Sequence, residues 1–298
     1  MREYWFALSL IKGIGGATAK KLVEKFGDIR AAFAAPENEL LTIRRISTKI
    51  IEQLRNINLN DVKAQMEAYE KSGIRILTLD DAEYPAMLRK ANDGPTVLFV
   101  HGKLLPQDEN AIAVVGTRNP SSDAVRVAET LARELAQRNL TIISGLAIGI
   151  DTAAHRGALS AENGRTLAVL GSGLKFIHPR QNQALAKEIV NRGALISDLL
   201  PETPLKGQYL MARDRIISGL SKAVIVVEAD VNSGSLDTAA KARRQGRIVF
   251  AVPGSPGTDK LIAEGAEILN PPKIDCEALI QRMQSYDNSA KDNQLSLW

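Results

Sequence analysis

Residues Ala111 to Asp151 read AIAVVGTRNPSSDAVRVAETLARELAQRNLTIISGLAIGID, and their pattern determines the fold class. The stretch contains an apolar run, a Gly-Thr-Arg turn, an amphipathic helical pattern over Asp123–Gln137, and a second apolar run that ends in another glycine turn. Strand, turn and helix in that order indicate a βαβ unit, whose parallel strands are covered by helices. The stretch therefore predicts an α/β protein.

The same alternation continues toward the C-terminus. Unbroken apolar runs are typical of strands that are buried on both faces, and right-handed crossovers between them produce a doubly wound sheet. We therefore expect a Rossmann-like, mainly parallel sheet. Its predicted strands are Ile112–Val115, Thr141–Ser144, Thr166–Leu170, Ala194–Ser197, Ala223–Val227 and Ile248–Val252.

The pattern divides the chain into three parts: a small helical accessory domain over residues 1–72, an extended Rossmann-like domain over residues 73–274 with its core starting at residue 111, and a C-terminal segment over residues 275–298. A helix is predicted at Asp61–Ser72, and strands at Ile74–Leu77 and Val97–Val100. The C-terminal segment is expected to form a helix over Glu277–Gln284, followed by a polar tail, Ser285–Asn293, that lacks the apolar residues needed to fold.

Composition narrows the functional class. The chain is 45% hydrophobic and 24% charged, with a net charge of +4, as in globular proteins that bury a core. Cys276 is the single cysteine, which excludes a disulfide framework and a cysteine metal site and fits a reducing cytosol. The apolar run Trp5–Ile11 is too short for a signal peptide or a membrane span. We expect a cytoplasmic protein with no cofactor and no metal.

Positive charge is concentrated in the second half of the chain. Between Asn163 and Lys222 there are nine Lys and Arg residues and four Asp and Glu residues, which leaves a net charge of +5. This stretch is either a solvated basic face or an anion-binding patch.

Glycine-rich turns follow most of the predicted strands. Because the carboxyl ends of parallel strands meet at one edge, where such folds bind ligands, we expect these turns to lie side by side. Small side chains, hydroxyls and free backbone N–H groups at helix starts suit phosphate. The residues assigned to phosphate are Gly116, Thr117, Arg118, Ser144, Gly145, Gly149, Gly171, Ser172, Gly173, Ser233, Gly234 and Ser235.

Signatures of catalysis and of nucleotide cofactors are missing. The patterns G-x-G-x-x-G, G-x-x-x-x-G-K-[ST] and G-x-S-x-G do not occur at the expected places. Asp151 and His155 could form an acid–base pair, but we favour a capping role for Asp151 and a bracing role for His155. Arg213 and Arg215 flank Asp214, so they suit successive phosphates unless one of them simply pairs with that acid. We predict no catalytic residues.

Several blocks together resemble one known family, the DNA-processing protein A (DprA/Smf) family, in the form without a C-terminal winged helix. The blocks occur in family order over roughly residues 74–270. They are Leu77–Pro85, Ala113–Arg118, Ser144–His155, Leu170–Leu174, Arg213–Ser221, Val227–Ala229, Ser233–Leu236 and Val249–Ser255.

The resemblance implies a protein that binds single-stranded DNA at the glycine-rich edge, forms a homodimer and loads the RecA recombinase. Its setting would be DNA processing in recombination or natural transformation, with no established catalytic activity. The cationic side chains that it implicates in phosphate contact are Arg118, Lys175, Arg180, Arg213 and Arg215. Phe176 could stack on a base, although a buried aromatic beside a strand end is the alternative we favour.

The chain also departs from the family pattern. Ile148 stands where a basic residue is usual, Asp214 where asparagine is usual, and Leu210-Met211 where Phe-Pro is common. A lost cation and a gained acid should weaken DNA binding and flatten its salt dependence. A nucleotide-sensing paralogue is one alternative. A nucleotide-processing enzyme is another, although the glutamate motif of related phosphoribohydrolases is missing at Val231–Leu236.

The two ends carry separate motifs. Near the N-terminus, Gly13, Gly15, Lys20 and Lys21 belong to a pattern that resembles a helix-hairpin-helix, either an accessory DNA contact or a packing hairpin. The final residues, Gln294, Leu295, Ser296, Leu297 and Trp298, resemble the pentapeptide that binds the bacterial sliding clamp. Chance, or a terminal strand docking on the protein itself, is the alternative.

Overall fold

A computed structural model of the chain describes residues 1–271 and 274–295, with side chains up to residue 285. The chain forms two compact units, Met1–His101 and Gly102–Trp298. No helix in the described part of the chain has the length and apolarity that a membrane crossing requires.

The first unit is mainly helical and ends in a two-stranded antiparallel hairpin. Strand β1 (Ile74–Thr78) pairs with β2 (Val97–Gly102), with Ile74 opposite His101. The helices are α1 (Arg2–Ser9), α2 (Gly16–Phe26), α3 (Ile29–Ala34), α4 (Glu37–Leu40), α5 (Thr48–Arg55), α6 (Leu59–Lys71) and α7 (Ala86–Lys90). The small helical domain predicted ahead of the sheet is confirmed.

The boundary between the units differs from the predicted one at residue 72. Strands β1 and β2 belong to the helical unit because their apolar side chains pack on its helices. The ring of Phe99 on β2 lies edge-on to Phe6 and Tyr69, with centroid distances of 6.0 and 5.8 Å. Aromatic pairs of this geometry contribute about 0.5–1.5 kcal/mol each beyond their buried area.

The second unit contains a parallel sheet of seven strands, in the order β6-β5-β4-β3-β7-β8-β9. The strands are β3 (Ala111–Val115), β4 (Thr141–Ser144), β5 (Thr166–Val169), β6 (Ala194–Ser197), β7 (Ala223–Val226), β8 (Ile248–Ala251) and β9 (Glu267–Ile268). The first six match the predicted strands within one residue at each end and are buried throughout. Strand β9 escaped prediction because two residues make no apolar run.

Helices cover this sheet, so the predicted α/β class and doubly wound sheet are confirmed. They are α8 (Ser122–Gln137), α9 (Ile150–Ser160), α10 (Gln183–Arg192), α11 (Gly207–Gly219), α12 (Gly234–Arg244), α13 (Pro256–Ala263) and α14 (Cys276–Leu295). Helix α8 begins at a capping serine, Ser121, whose Oγ accepts a hydrogen bond from the amide of Ala124 at 3.1 Å. Its apolar stripe, including Leu131 and Leu135, is buried against the sheet.

Strand β3 lies at the point where the strand order reverses. The chain runs outward from β3 through β4 and β5 to β6, and then returns to place β7 on the other side of β3. Loops on the two sides of this switch point diverge, and the crevice between them is where doubly wound sheets bind ligands.

The C-terminal helix is longer than predicted. Helix α14 extends to Leu295 and thus through Ser285–Asn293, which we expected not to fold. A helix makes its hydrogen bonds within its own backbone, so polar residues can continue it without an apolar partner surface. The first turns are anchored, since Cys276, Leu279 and Met283 are buried with residues of α8 in one core cluster.

Candidate functional site

A cleft of about 540 Å³ opens at the switch point, at the carboxyl ends of β3 and β7. Its volume falls within the range of roughly 300–1,000 Å³ that is usual for pockets enclosing small ligands. Three segments line it: the turn after β3, the α11 face that carries Arg213 and Asp214, and the start of α12. Ala147 and Asp151, from the region around the start of α9, and Asp230 and Asn232, from the loop between β7 and α12, complete the lining.

The floor of the cleft consists of buried charged groups. Arg213, Asp214 and Asp151 are 6%, 7% and 7% exposed. The Arg213 guanidinium donates from Nε to Asp214 Oδ1 at 3.0 Å and from Nη1 to the carbonyl of Gly145 at 2.8 Å. It also donates to the carbonyl of Val169. Arg213 thus fastens α11 to the ends of β4 and β5.

Both carboxyl groups of the floor are shifted by burial. Burial raises the pKa of Asp214 to about 6, and the neighbouring Arg213 charge opposes that rise. Burial also raises the pKa of Asp151, again against the effect of Arg213. Asp151 Oδ2 accepts hydrogen bonds from the amides of Gly145 and Ala147 at 3.1 and 3.3 Å, so this carboxyl organises the turn before α9.

Two predicted phosphate glycines instead allow close packing inside the protein. A Cβ at Gly145 would lie 2.2 Å from Nη1 of Arg213. Gly149, the residue before α9, has φ of +84°, and a Cβ there would lie 2.4 Å from the carbonyl oxygen of Thr117. Ser144 is buried and its Oγ donates to the carbonyl of Val114 at 2.7 Å. None of the three lines the cleft.

The rim of the cleft carries the groups that suit an anion. Arg118 is exposed, and its side chain forms no hydrogen bond or ion pair with any described residue. Opposite lies the N-terminus of α12, where Ser233 Oγ accepts from the amide of Ser235 at 3.4 Å. Gly234 is exposed, with no atom within 4 Å of the place a Cβ would take. The N-terminus of a helix attracts anions through its free N–H groups and its dipole.

The turn after β3 presents fewer groups to a phosphate than the sequence predicted. Gly116 packs on Ile150, since a Cβ there would lie 2.6 Å from its side chain. The Thr117 amide donates to the carbonyl of Glu228 at 2.7 Å, and its carbonyl accepts from the amide of Ile150 at 3.2 Å. Gly116 and Thr117 therefore line the cleft without presenting the amide of Thr117 to a ligand.

The Gly171-Ser172-Gly173 turn is covered by the protein itself, which contradicts its prediction as a phosphate site. A Cβ at Gly173 would lie 2.1 Å from the carbonyl oxygen of Leu200, and the Gly173 amide donates to the carbonyl of Thr203 at 2.8 Å. Ser172 Oγ donates to the carbonyl of Phe176 at 2.6 Å. Because these residues are small, the chain segment after β6 can pack directly against the turn.

The residues just after that turn are accessible. Phe176 is 46% exposed, so the buried position that we favoured for it is wrong. Lys175 and Arg180 are exposed too, and Lys175 Nζ lies 2.6 Å from Glu202 Oε1. The three residues form a patch that we name the Lys175–Arg180 segment.

Much of the basic stretch serves the fold. Arg165 lies 2.6 Å from Asp108, and both side chains are less than 10% exposed. Arg192 donates to three backbone carbonyls. Arg215 pairs with Asp198, and Arg213 is buried in the cleft floor. The prediction that Arg213 and Arg215 are free phosphate contacts is therefore not supported, because both guanidinium groups already have acidic partners.

The acid–base pair considered for Asp151 and His155 does not form. His155 is fully buried, with Nδ1 2.7 Å from Thr166 Oγ1, and burial lowers its pKa to about 3. Asp151 bonds instead to the amides of the turn before α9. The two residues therefore have structural roles, although Asp151 acts on the turn rather than as a conventional helix cap.

No described residue of the motifs at the two ends lines this cleft. In the first unit, Lys20 is occupied, because its Nζ donates to the carbonyls of Arg89 and Ala91 at 2.9 and 2.7 Å. Lys21 is exposed, and Gly13 has φ of +98° in the turn before α2. Gly15 is the residue before α2. Of the C-terminal pentapeptide, Gln294 and Leu295 end α14, and Ser296, Leu297 and Trp298 lie outside the described residues.

The chain is similar in sequence to one protein family and to several characterised proteins. Residues 75–280 match the family described as DNA recombination-mediator protein A. Protein Smf of Synechocystis is 37% identical over 90% of this chain and 70% of its own length. The DNA processing protein DprA of Bacillus subtilis is 39% identical over 74% of this chain and 76% of its own length.

Solved structures agree in fold. DNA processing protein A from Streptococcus pneumoniae has a TM-score of 0.74 at 30% identity, covering 90% of this chain and 94% of that one. DNA processing protein A from Helicobacter pylori, in a study of its single-stranded DNA binding mode, has a TM-score of 0.60 at 29% identity. That alignment covers 74% of this chain and 98% of the Helicobacter chain.

Proposed function

Because this chain belongs to the DNA recombination-mediator protein A family, we propose that it binds single-stranded DNA along the rim of the cleft and the Lys175–Arg180 segment. The observation that carries the proposal is the position of Arg118, an exposed and unpaired cation across a crevice from the N-terminus of α12. A relative studied for single-stranded DNA binding supports the choice of ligand.

The rim suits a phosphodiester better than a buried ligand group. Arg118 presents a planar array of donors that matches phosphate oxygens, and it has no partner to give up among the residues that the structure describes. The start of α12 adds a positive dipole end and two hydroxyls, from Ser233 and Ser235. Binding of this kind releases counterions and therefore weakens as salt rises.

Phe176 adds a contact that is specific to unpaired bases. In a single strand the base faces are free to stack, and an exposed aromatic ring provides a platform for any of the four bases. In duplex DNA those faces are already stacked on one another. Preference for single strands therefore follows from Phe176, whereas phosphate contacts alone would be shared with duplex DNA.

The test is a fluorescence anisotropy titration of the full chain with a labelled single strand and its duplex, at several salt concentrations. We expect single strands to bind more tightly and the affinity to fall with salt. Arg118→Ala should weaken binding and lower the salt slope by about 0.7, the value for one phosphate contact on a single strand. Arg126→Ala is the matched control, since Arg126 is 73% exposed on α8 and pairs with Asp123 outside the cleft. Equal affinity for both DNAs would refute the proposal.

The more specific parts of the proposal rest on the family. We assign the chain a non-enzymatic role, as a homodimer that brings RecA to single-stranded DNA in recombination or natural transformation. Analytical ultracentrifugation tests the dimer, and co-precipitation with purified RecA tests the partner. A monomer at micromolar concentration, or no RecA in the precipitate, would refute the corresponding part.

We also propose contacts at the two ends of the chain. Lys21 and the Gly13–Gly15 turn would touch DNA. Residues 294–298 would bind the sliding clamp. Deleting residues 294–298 should abolish clamp pull-down and leave DNA binding unchanged, and a retained pull-down would refute the tail assignment.

A further inference from the structure

The floor and the rim of the cleft carry opposite charge. The floor holds the carboxyls of Asp151 and Asp214, and its one cation, Arg213, is engaged by Asp214 and two strand carbonyls. The rim holds Arg118 and the N-terminus of α12, together with one exposed carboxyl, Asp230, whose Oδ1 accepts from the amide of Val231 at 2.6 Å. An anion placed at the floor would meet two buried carboxyls, whereas at the rim it would meet the donors of Arg118 and α12 beside one solvated carboxyl.

This polarity sets the direction in which a nucleotide enters. A phosphate group is expected to stay at the rim, because at the floor it would be repelled by the buried carboxyls and would lose its hydration. The base is neutral and can be desolvated far more cheaply. The strand would therefore keep its backbone at the rim and direct a base inward.

The walls of the cleft fit the flat faces of a base. Val115, Leu210 and Ile217 line it with aliphatic side chains, and Met211, 51% exposed, stands at its mouth. Pockets for small ligands usually combine such apolar walls with a few convergent polar groups.

The polar group at the end of the cleft is the carboxyl of Asp214. Oδ1 accepts from Arg213 Nε, and Oδ2 has no hydrogen-bond partner among the described residues, although the side chain is only 9% exposed. An ionised carboxylate accepts hydrogen bonds and donates none. Asp214 Oδ2 is not among the fully buried polar atoms that lack a partner, so it is accessible from the cleft and can accept a hydrogen bond from a ligand.

On the premise that the proposed single-stranded DNA binding holds, we propose that the cleft takes one nucleotide base-first and that Asp214 selects bases with an exocyclic amino group. Cytosine, adenine and guanine carry such a group, and a carboxylate accepting from cytosine N4 is an established pairing. Thymine has no amino group: its major-groove edge carries the O4 acceptor and a methyl group, and its one donor, the ring N3–H, lies between two carbonyl oxygens that repel a carboxylate. Asp214 is thus a specificity residue, and Arg213 positions it.

Asparagine at this position would not discriminate in the same way. Its Oδ1 can still accept from Arg213, which leaves its NH2 group, a donor, in the place of Asp214 Oδ2. Asp214→Asn therefore removes the preference for an amino group without changing the size of the side chain, and its NH2 group suits a carbonyl oxygen such as thymine O4 instead.

The experiment compares labelled dC15 and dT15 on the full chain by fluorescence anisotropy. We expect the wild type to prefer dC15 by about fivefold or more, the lower end for one charged hydrogen bond to a base edge. Asp214→Asn should lower the ratio to one or below. Glu188→Gln removes an exposed carboxyl on α10, outside the cleft, and should keep the wild-type ratio.

A chemical variant keeps the test decisive if Asp214→Asn does not fold. A 15-mer of N4,N4-dimethyl-2′-deoxycytidine has no amino hydrogen, so the wild type should bind it no better than dT15. Equal wild-type affinity for dC15 and dT15, or an undiminished ratio in Asp214→Asn, would overturn the inference while single-strand binding stands. Failure to bind either strand would instead refute the proposed function.

Discussion

Replacing Asp214 by asparagine is expected to stabilise the protein at neutral pH, by an amount that disappears in acid. Burial raises the pKa of Asp214 to about 6 in the folded state, against a usual value of 3.8. The folded state therefore binds this proton more tightly than the unfolded state does, and the free energy of unfolding falls as pH rises from about 4 through 6. A shift of about two pH units corresponds to about 3 kcal/mol.

Asparagine mimics the protonated carboxyl, so the variant escapes this penalty. At pH 8 the variant should be more stable than the wild type by about 3 kcal/mol, at pH 5 by about half of that, and below about pH 4 by almost nothing. Arg213 and Lys241 act against the rise in pKa, whereas Asp151 and Asp237 add to it. The expected difference in stability is therefore the net effect of burial and of these four charges.

The assay is urea unfolding of both proteins at pH 8, 6.5, 5 and 4, with the difference in free energy plotted against pH. Glu188→Gln is the control, because it removes an exposed carboxyl and should shift stability little at any pH. A variant that is less stable than the wild type at pH 8, or a difference that does not change with pH, would refute the reasoning.

Three further predictions concern the cleft and its surroundings. Phe176→Ala should weaken single-strand binding by about 1–3 kcal/mol through lost stacking, while Leu105→Ala, another exposed apolar residue, should not; equal losses would contradict the stacking role. Ile148→Arg adds a cation at an exposed position beside the cleft and should steepen the salt slope by about 0.7; an unchanged slope in anisotropy titrations would count against it. Gly149→Ala should destabilise the fold by about 3 kcal/mol or more in urea unfolding, through its positive φ and its contact with a carbonyl. Gly246→Ala, which has positive φ but open space, should cost about 1–2 kcal/mol, and equal costs would show that the contact is unimportant.

The sheet could be predicted from the sequence because its signal is local. Six of the seven strands of the second unit are unbroken apolar runs, so burial on both faces is visible in the residues themselves. Strand β9 is a pair of residues, Glu267–Ile268, that depends on β8 for its existence. The continuation of α14 was missed for the opposite reason, since a polar helix leaves no apolar periodicity to detect.

The site was predicted in outline and not in detail. Which edge holds the cleft follows from strand order, but what each turn faces depends on distant parts of the chain. Gly173 meets the carbonyl of Leu200, and Arg213 meets that of Gly145. No local pattern distinguishes a glycine that admits a phosphate from one that admits another backbone. The sequence also did not reveal that Asp214 is an acceptor in the cleft floor. That role depends on which side of α11 faces the cleft.

The contact between Arg213 and Gly145 also restricts the order in which the protein can change over evolutionary time. The two positions are 68 residues apart in the chain, yet any side chain at 145 would overlap a guanidinium that is held by three hydrogen bonds. A lineage must lose the arginine before it can enlarge the glycine. Once residue 145 has grown, the arginine cannot return until the glycine has been restored, so each position limits what the other can become and the two should vary together.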